Sequence, residues 1–472
     1  MTASRFLPTA GVLLLTLSLA GCIGENGFGS IAAITATETG HQPQIISSEA
    51  DLQQASQRSA ALLKKPLDAQ TSVELSFLNN RALQASFNEL GIAQAALIRG
   101  SLPSNPRFGV SRMSGGGELE IEREILVGLF SVLTAPIRAA RAQEDFRAAQ
   151  YRAAESTLRL AIDVRRQYYR AVGANEQVFV LTEAKALTDT QADIARKLGE
   201  TGGMNKLDQA REYALAAELD NQLARARLNQ RLERERLIRL LGLWGKDVDF
   251  KLPTRLPALP ASLRSAASVE AQALIRRVDL AAQKHELEAL AIGLGLTQAT
   301  RFVSDIELVG RSKEVKDRAS NTTTRQSGVG LEFEIPIFDF GTAKVLDAEN
   351  RYMRAANLLA DKAVRVRSEA REAYAAYRGS WEIARHYDKS ILPLRQEIQN
   401  EMLLHYNGML KDLSSLITDT RATILARMQA IDAKRDFWIA ENEMRAALAG
   451  GGTGTSNAAT RAPMASAAAD VH

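Results

Sequence analysis

Residues 328–341 read GVGLEFEIPIFDFG. Val329, Leu331, Phe333 and Ile335 alternate with Gly330, Glu332, Glu334 and Pro336, so a strand here carries apolar groups on one face and carboxylates on the other. Pro336 and Gly341 end the pleat, and the sequence beyond them has the composition of uninterrupted helix. An acidic face wants water and an apolar face wants hydrocarbon, so this strand is out of place on a purely helical soluble protein.

Three more segments share the construction. "PRFGVSRM" (106–113) and "ELEIEREILV" (118–127) are joined by the turn-forming "SGGG" (114–117). In the second, Leu119, Ile121 and Ile125 oppose Glu118, Glu120, Glu122 and Glu124. "RFVSDIELVG" (301–310) sets Phe302, Ile306 and Leu308 against Asp305 and Glu307, and the polar run 311–327 reads as the connection to the fourth strand. Strands of this length match membrane-barrel strands of roughly 9 to 11 residues. Each unpaired backbone group in hydrocarbon costs several kcal/mol and barrels start at about eight strands, so four strands cannot close alone. Two or three chains could share one wall.

The rest is helical. A helix runs from about Val73 to Arg99, and no proline interrupts 137–252, which is rich in Ala, Leu, Arg, Glu and Gln. A long helix from about Pro136 reverses at "GETGG" (199–203), and a shorter one returns to "LLGLWG" (240–245). After the joint "LPTRLPALP" (252–260) the pattern restarts: a helix over 269–296, two strands, a long helix leaving Gly341, a reversal at "YNGMLKD" (406–412) and a return ending near Leu448. The order occurs twice, as in an internal duplication.

Ile417, Ile424, Ile431 and Trp438 recur every seven residues. Leu207, Ala210, Ala214, Ala217, Asn221, Ala224 and Leu228 step by three and four, and Leu215, Leu219 and Leu223 form a second apolar line on the same helix. Helices with two seams pack on two neighbours, as staves do. A helix of about 60 residues extends roughly 90 Å.

The start of the chain reads as an export signal: Arg5, the apolar "GVLLLTLSLA", then "LAGC" ending at Cys22, the only cysteine. Acyl chains on Cys22 would anchor the chain through about 0.8 kcal/mol per buried CH2. Net charge is +4 with both signs interspersed, which gives no footprint for nucleic acid. Five histidines lie scattered without metal-ligand spacing, and neither a phosphate loop nor a nucleophile elbow occurs. The sequence therefore indicates no metal, no cofactor and no catalysis.

The duplicated layout, "IPIFDFG" (335–341), "RERLIRLLGLWG" (234–245) and "RDFWIAENEMRAAL" (435–448), together with the "LAGC" lipobox, resemble the TolC-like outer-membrane factors, in their lipoprotein subgroup. That resemblance implies a mainly α fold with a small β part. Duplicated long antiparallel coiled-coil helices would form an α-barrel, and four amphipathic strands per chain would join a shared trimeric transmembrane β-barrel. It implies a lipoprotein signal peptide at 1–21, a lipidated linker at 22–70, repeats at 71–260 and 261–448, and a disordered tail at 449–472. The expected function is a passive outer-membrane conduit of a tripartite efflux system. Its partners would be two further copies, a periplasmic membrane-fusion adaptor, an inner-membrane pump of resistance-nodulation-division or ABC type, and outer-membrane lipid. A periplasmic lipoprotein adaptor or a coiled-coil scaffold are the alternatives.

Carried over residue by residue, the resemblance makes Cys22 the lipid site and places Pro336, Phe338 and Gly341 at the strand-to-helix transition. Gly202, Gly203, Leu207, Asp208 and Tyr406 become turns that meet the adaptor. At the periplasmic aperture, Ser415 and Thr418 stand where the family has acids, and Met409 where it has glycine. Lys411, Asp412 and Asp419 beside that turn are either a substitute ion-pair network or solvated charges worth about 0 to 1 kcal/mol per pair.

Overall fold

The computed structural model describes residues 27–452 except 264, 266, 267, 304, 319, 409 and 412. The expected signal peptide and Cys22, Asp412 and the tail beyond 452 lie outside the described residues.

Four helices, α1 (Phe28–Thr39), α2 (Glu49–Leu62), α3 (Ala69–Asn79) and α4 (Arg81–Ser101), precede the strands β1 (Arg107–Gly115) and β2 (Glu118–Gly128). Helices α5 (Leu129–Glu200) and α6 (Lys206–Leu241) follow. After a short 3₁₀ turn at Gly245–Val248 come α7 (Val269–Arg276), α8 (Val278–Ala299), β3 (Asp305–Asp317) and β4 (Thr322–Glu334). The chain ends with α9 (Thr342–His386), a π turn at Tyr387–Ile391, α10 (Leu392–Asn407) and α11 (Leu413–Ala449). The succession of helix, two strands, long helix and returning helix thus appears in each half of the chain.

Three helix boundaries depart from the sequence reading. The expected 73–99 helix is broken at Asn80, which is extended (φ −74, ψ 109). Its side chain caps α4 by accepting from Leu83 N at 3.1 Å and donates to Leu240 O at 3.0 Å. The expected 269–296 helix breaks in the same way at Arg277 (φ −67, ψ 119). The third departure is α5, which starts at Leu129 rather than near Pro136, so that the proline sits inside the helix.

Two compact units form, each assembled from three stretches of chain. One comprises the residues up to Thr37, Ala85–Ala154 and Ala281–Leu358, and the other Glu38–Gln84, Glu155–Leu280 and the residues from Leu359 onward. The first holds one antiparallel sheet in the order β1-β2-β3-β4. In that sheet the run 311–327, read from sequence as a connection, is mostly strand: β3 continues to Asp317, β4 begins at Thr322, and only four residues link them. Arg311, Lys313 and Glu314 of this run pair with charged side chains on the neighbouring strands, a long-range effect that hydropathy alone does not register.

The second unit is held by apolar seams. Leu181 and Ala184 of α5, Leu215, Leu219 and Leu223 of α6, and Ile417 and Ile424 of α11 form one buried cluster. Tyr377, Ala384, Phe437 and Met444 form another, with Trp381 and Trp438 packed against it. The proline-rich joint is tied to α11 and α9: Trp438 Nε1 donates to Pro257 O and Trp381 Nε1 to Pro260 O, each at 3.1 Å.

The two helix breaks have matching glycine partners. Gly242, at φ 70, caps α6, and a Cβ there would lie 2.6 Å from Asn79 O. Gly450, at φ 97, follows α11, and its Cβ would lie 3.0 Å from Val278 Cγ2. Each returning helix therefore ends in a left-handed glycine pressed against the break at the start of its own half.

Candidate functional site

The cross-strand register sorts the sheet into two faces. One bears Glu118, Glu120, Glu122 and Glu124 of β2, Asp305, Glu307 and Asp317 of β3, and Glu332 and Glu334 of β4, with Arg107, Arg311 and Lys313 among them. Nine carboxylates and three cations share that surface. Arg311 bridges two strands at once, its Nε donating to Glu124 Oε1 and its Nη2 to Glu332 Oε1, both at 2.8 Å. Lys313 pairs with Glu120 and Arg107 with Glu307. Sequence reading found the acids of β2 and β4 with Asp305 and Glu307, but missed Arg311, Lys313 and Asp317, because they lie in the stretch taken for a loop.

The other face is apolar and bare towards the helices. Phe108, Val110 and Val329 are 75%, 77% and 81% exposed, and Leu331 and Phe333 are also exposed. Both β1 and β4 are edge strands with one unpaired side. Among the described residues no helix is long and apolar enough to cross a membrane.

The segment after β4 is built to turn sharply. Phe340 N donates to Pro336 O at 2.8 Å. The Asp339 carboxylate caps α9, accepting from Gly341 N at 3.0 Å and Ala343 N at 3.3 Å. Gly341 has φ 71 and is buried, and a Cβ on it would lie 2.3 Å from Arg301 O. Phe340 takes the left-handed φ of 46, a costly conformation for an aromatic residue. Pro336 is half-buried, and Phe338 points away from the protein, 98% exposed.

The two helical reversals present different chemistry. Between α5 and α6, Gly202 (φ 77) and Gly203 are exposed, as is Leu207. Asn205 caps α6 by accepting from Asp208 N at 2.8 Å, and Asp208 pairs with Arg211 at 3.2 Å. Four residues beyond Asp208, Glu212 is 2% exposed, and its Oε2 has no partner among the described residues. Burial pushes its carboxyl above the usual range.

At the second reversal Tyr406 is half-buried, Lys411 and Thr418 are exposed, and Ser415 is half-buried. Asp419 is only 8% exposed and faces Arg395 of α10 at 3.6 Å, with Oδ2 unpartnered among the described residues. A cleft of about 280 Å³ lies alongside, between Ala184 and Leu187 of α5, Gln399 and Leu403 of α10, and Thr423 and Ile424 of α11. The Thr423 hydroxyl and Gln399 Oε1 are buried there without a partner among the described residues.

One histidine acquires neighbours that its sequence position conceals. His285 Nδ1 lies 2.6 Å from Glu144 Oε2 and 3.4 Å from Glu288 Oε2, and its ring stacks on Tyr151 at 5.4 Å. Glu144 also accepts from Arg147 at 2.6 Å, so its charge is already shared and the group reads as an ion-pair cluster. No sequence spacing could have joined residues 144 and 285, which are 141 positions apart.

No family model matches the chain, and no curated protein matches it. Solved structures do share its fold. CusC, studied for its folding and transmembrane channel formation, superposes with a TM-score of 0.69 at 17% identity, over 80% of this chain and 91% of that one. The outer-membrane channel OprN gives a TM-score of 0.68 at 17% identity over 82% and 91%. The Campylobacter jejuni CmeC outer membrane channel gives 0.64 at 15% identity over 85% and 86%. At such identities the likeness is one of fold: long helices with a small antiparallel sheet, as in these channels.

Proposed function

We propose that this chain is the outer-membrane channel component of a tripartite efflux system, a passive conduit in which three copies pool their strands into a twelve-stranded barrel. The observation that carries this reading is the sheet itself: four antiparallel strands with two open edges, one acidic face and one face that is apolar and bare in the half nearest the helices. Such a sheet satisfies its backbone in lipid only by joining other copies into a closed wall around a wet lumen. Three apolar rows, each advancing about 6.8 Å along the strand, reach roughly 15 Å of height at a tilt near 40°, short of the apolar band of about 25 Å seen in such barrels. Exposed Ile335, Ile337, Phe338 and Phe340 extend the band towards the helices.

The helices support the same reading. Leu215, Leu219 and Leu223 are buried within the chain, whereas the second seam on α6, from Leu207 through Ala210, Ala214, Ala217 and Ala224 to Leu228, is exposed. We assign that open seam to a neighbouring copy in a periplasmic helical tunnel. The turn at Gly202, Gly203, Leu207 and Asp208, with Tyr406, would meet the periplasmic adaptor, and an inner-membrane pump would supply the energy. Lys411, Asp412, Ser415, Thr418 and Asp419 would form the closable end, and Cys22 would carry the lipid anchor.

The test is direct. Full-length protein purified in detergent should migrate as a heat-labile trimer and open discrete conductance steps in planar bilayers. A monomer without conductance, soluble in the absence of detergent, would rule the conduit out.

A further inference from the structure

The apolar face of the sheet changes character with height, and the register gives the order. Nearest the helices Ile306 pairs with Phe333, then Leu308 with Leu331 and Val127, and then Val329 and Ile125 flank Gly310. Towards the strand turns the same face becomes basic. Ser312 stands between Ser327 and Arg123, Glu314 pairs with Arg325, Arg112 lies opposite Ile121, and Lys316 pairs with Thr323. Four cations therefore meet a single acid. Glu314 lies 3.7 Å from Arg123 and 3.4 Å from Arg325, so it holds two guanidinium groups side by side without cancelling the cluster. The Arg123 and Arg325 side chains remain 52% and 76% exposed. The opposite face has the reverse balance, so positive charge is not a general property of these strands.

Cations directly beyond a lipid-facing apolar band sit at headgroup level. Zwitterionic headgroups bring their own cation to each phosphate, whereas a cluster with net positive charge favours lipids whose phosphates are uncompensated. Arginine's planar fork suits phosphate oxygens in particular. We propose that Arg112, Arg123 and Arg325, with Lys316, form a docking surface for the phosphates of anionic lipids in the leaflet nearest the strand turns. The surface rests on the shared-barrel reading and would repeat once per copy around the wall. Glu314 sets the spacing of its two arginines and limits its affinity.

The full chain is reconstituted in phosphatidylcholine nanodiscs doped with either lipid A or dephosphorylated lipid A, and retained lipid is counted by native mass spectrometry. Conductance in planar bilayers is recorded in parallel. The expected result is roughly tenfold greater retention of the phosphorylated form, lost in the combined Arg112→Gln, Arg123→Gln, Arg325→Gln variant while conductance persists. Glu314→Gln, which removes the one acid, should raise retention about twofold and serves as the check if the triple variant assembles poorly. Equal retention of the two lipids by a conducting wild-type protein overturns the docking surface and leaves the channel intact. Absence of conductance in the wild type overturns the channel reading, and the docking surface falls with it.

Discussion

Gly341 and Gly202 show how differently two left-handed glycines constrain this chain. At Gly202 a Cβ meets nothing within 4 Å, so alanine there costs only backbone strain, about 1 kcal/mol. At Gly341 the same methyl would collide with Arg301 O, and the turn from β4 into α9 would have to shift. Gly341→Ala should lower stability by about 3 kcal/mol or more, with Gly202→Ala as the mild control, both read by thermal unfolding in detergent.

The buried network at Arg277 makes a second prediction at this scale. Arg277 and Asp279 are 6% and 5% exposed, bonded at 2.8 and 2.9 Å, with Lys362 at 3.1 Å from Asp279. Burial alone would push the Asp279 carboxyl up, but Arg277 and then Lys362 outweigh it and hold the group below its usual 3.8. A lowered folded-state value means that the stabilisation is complete above the unfolded-state value and is lost as the pH falls through the folded-state value. Asp279→Asn should therefore destabilise by about 3 kcal/mol at pH 7. That difference should shrink below about pH 4; denaturant curves at both pH values measure it, and a constant difference would contradict the network's role.

At the scale of elements, the two lines on α6 separate what folds the chain from what we assign to assembly. Leu219 is 2% exposed in the hairpin core and Leu228 is 52% exposed on the open seam. Leu219→Ala should cost about 3 kcal/mol in unfolding. Leu228→Ala should change unfolding of the isolated chain by less than about 0.5 kcal/mol yet lower the temperature at which the oligomer dissociates on a gel. Equal effects of both variants in both assays would remove the distinction.

Much of this level was legible in the sequence because its signals are local. The hairpin at "SGGG", the reversal at "GETGG" and the two-faced strand at 328–335 are each specified within a dozen residues. The breaks at Asn80 and Arg277 were not, since propensity favours continuing the helix and only contacts with Leu240 O, Asp279 and Glu369 stabilise the extended residue. The same holds for the polar halves of β3 and β4. Arg311 and Lys313 look like loop residues until Glu124, Glu332 and Glu120 are placed beside them. The surroundings of His285 were invisible for the same reason.

For the whole molecule, the charged face of the sheet predicts ion preference. On the proposed reading the carboxylate-rich face lines the lumen, and a pore so lined should favour cations. Arg311 partly neutralises that field by bridging Glu124 and Glu332. Arg311→Gln should raise the potassium-to-chloride permeability ratio roughly twofold, measured as a reversal potential across a salt gradient. A shift towards chloride would place this face outside the lumen.

The connections at the far end of the sheet carry one more consequence. Only Gly116 and Gly117 join β1 to β2, and four residues join β3 to β4. Segments so short cannot fold inward as a plug or lid. On the proposed reading the mouth towards the surroundings stands permanently open and offers antibodies or phages almost nothing to grip. Leak prevention then falls entirely to the reversals between the long helices.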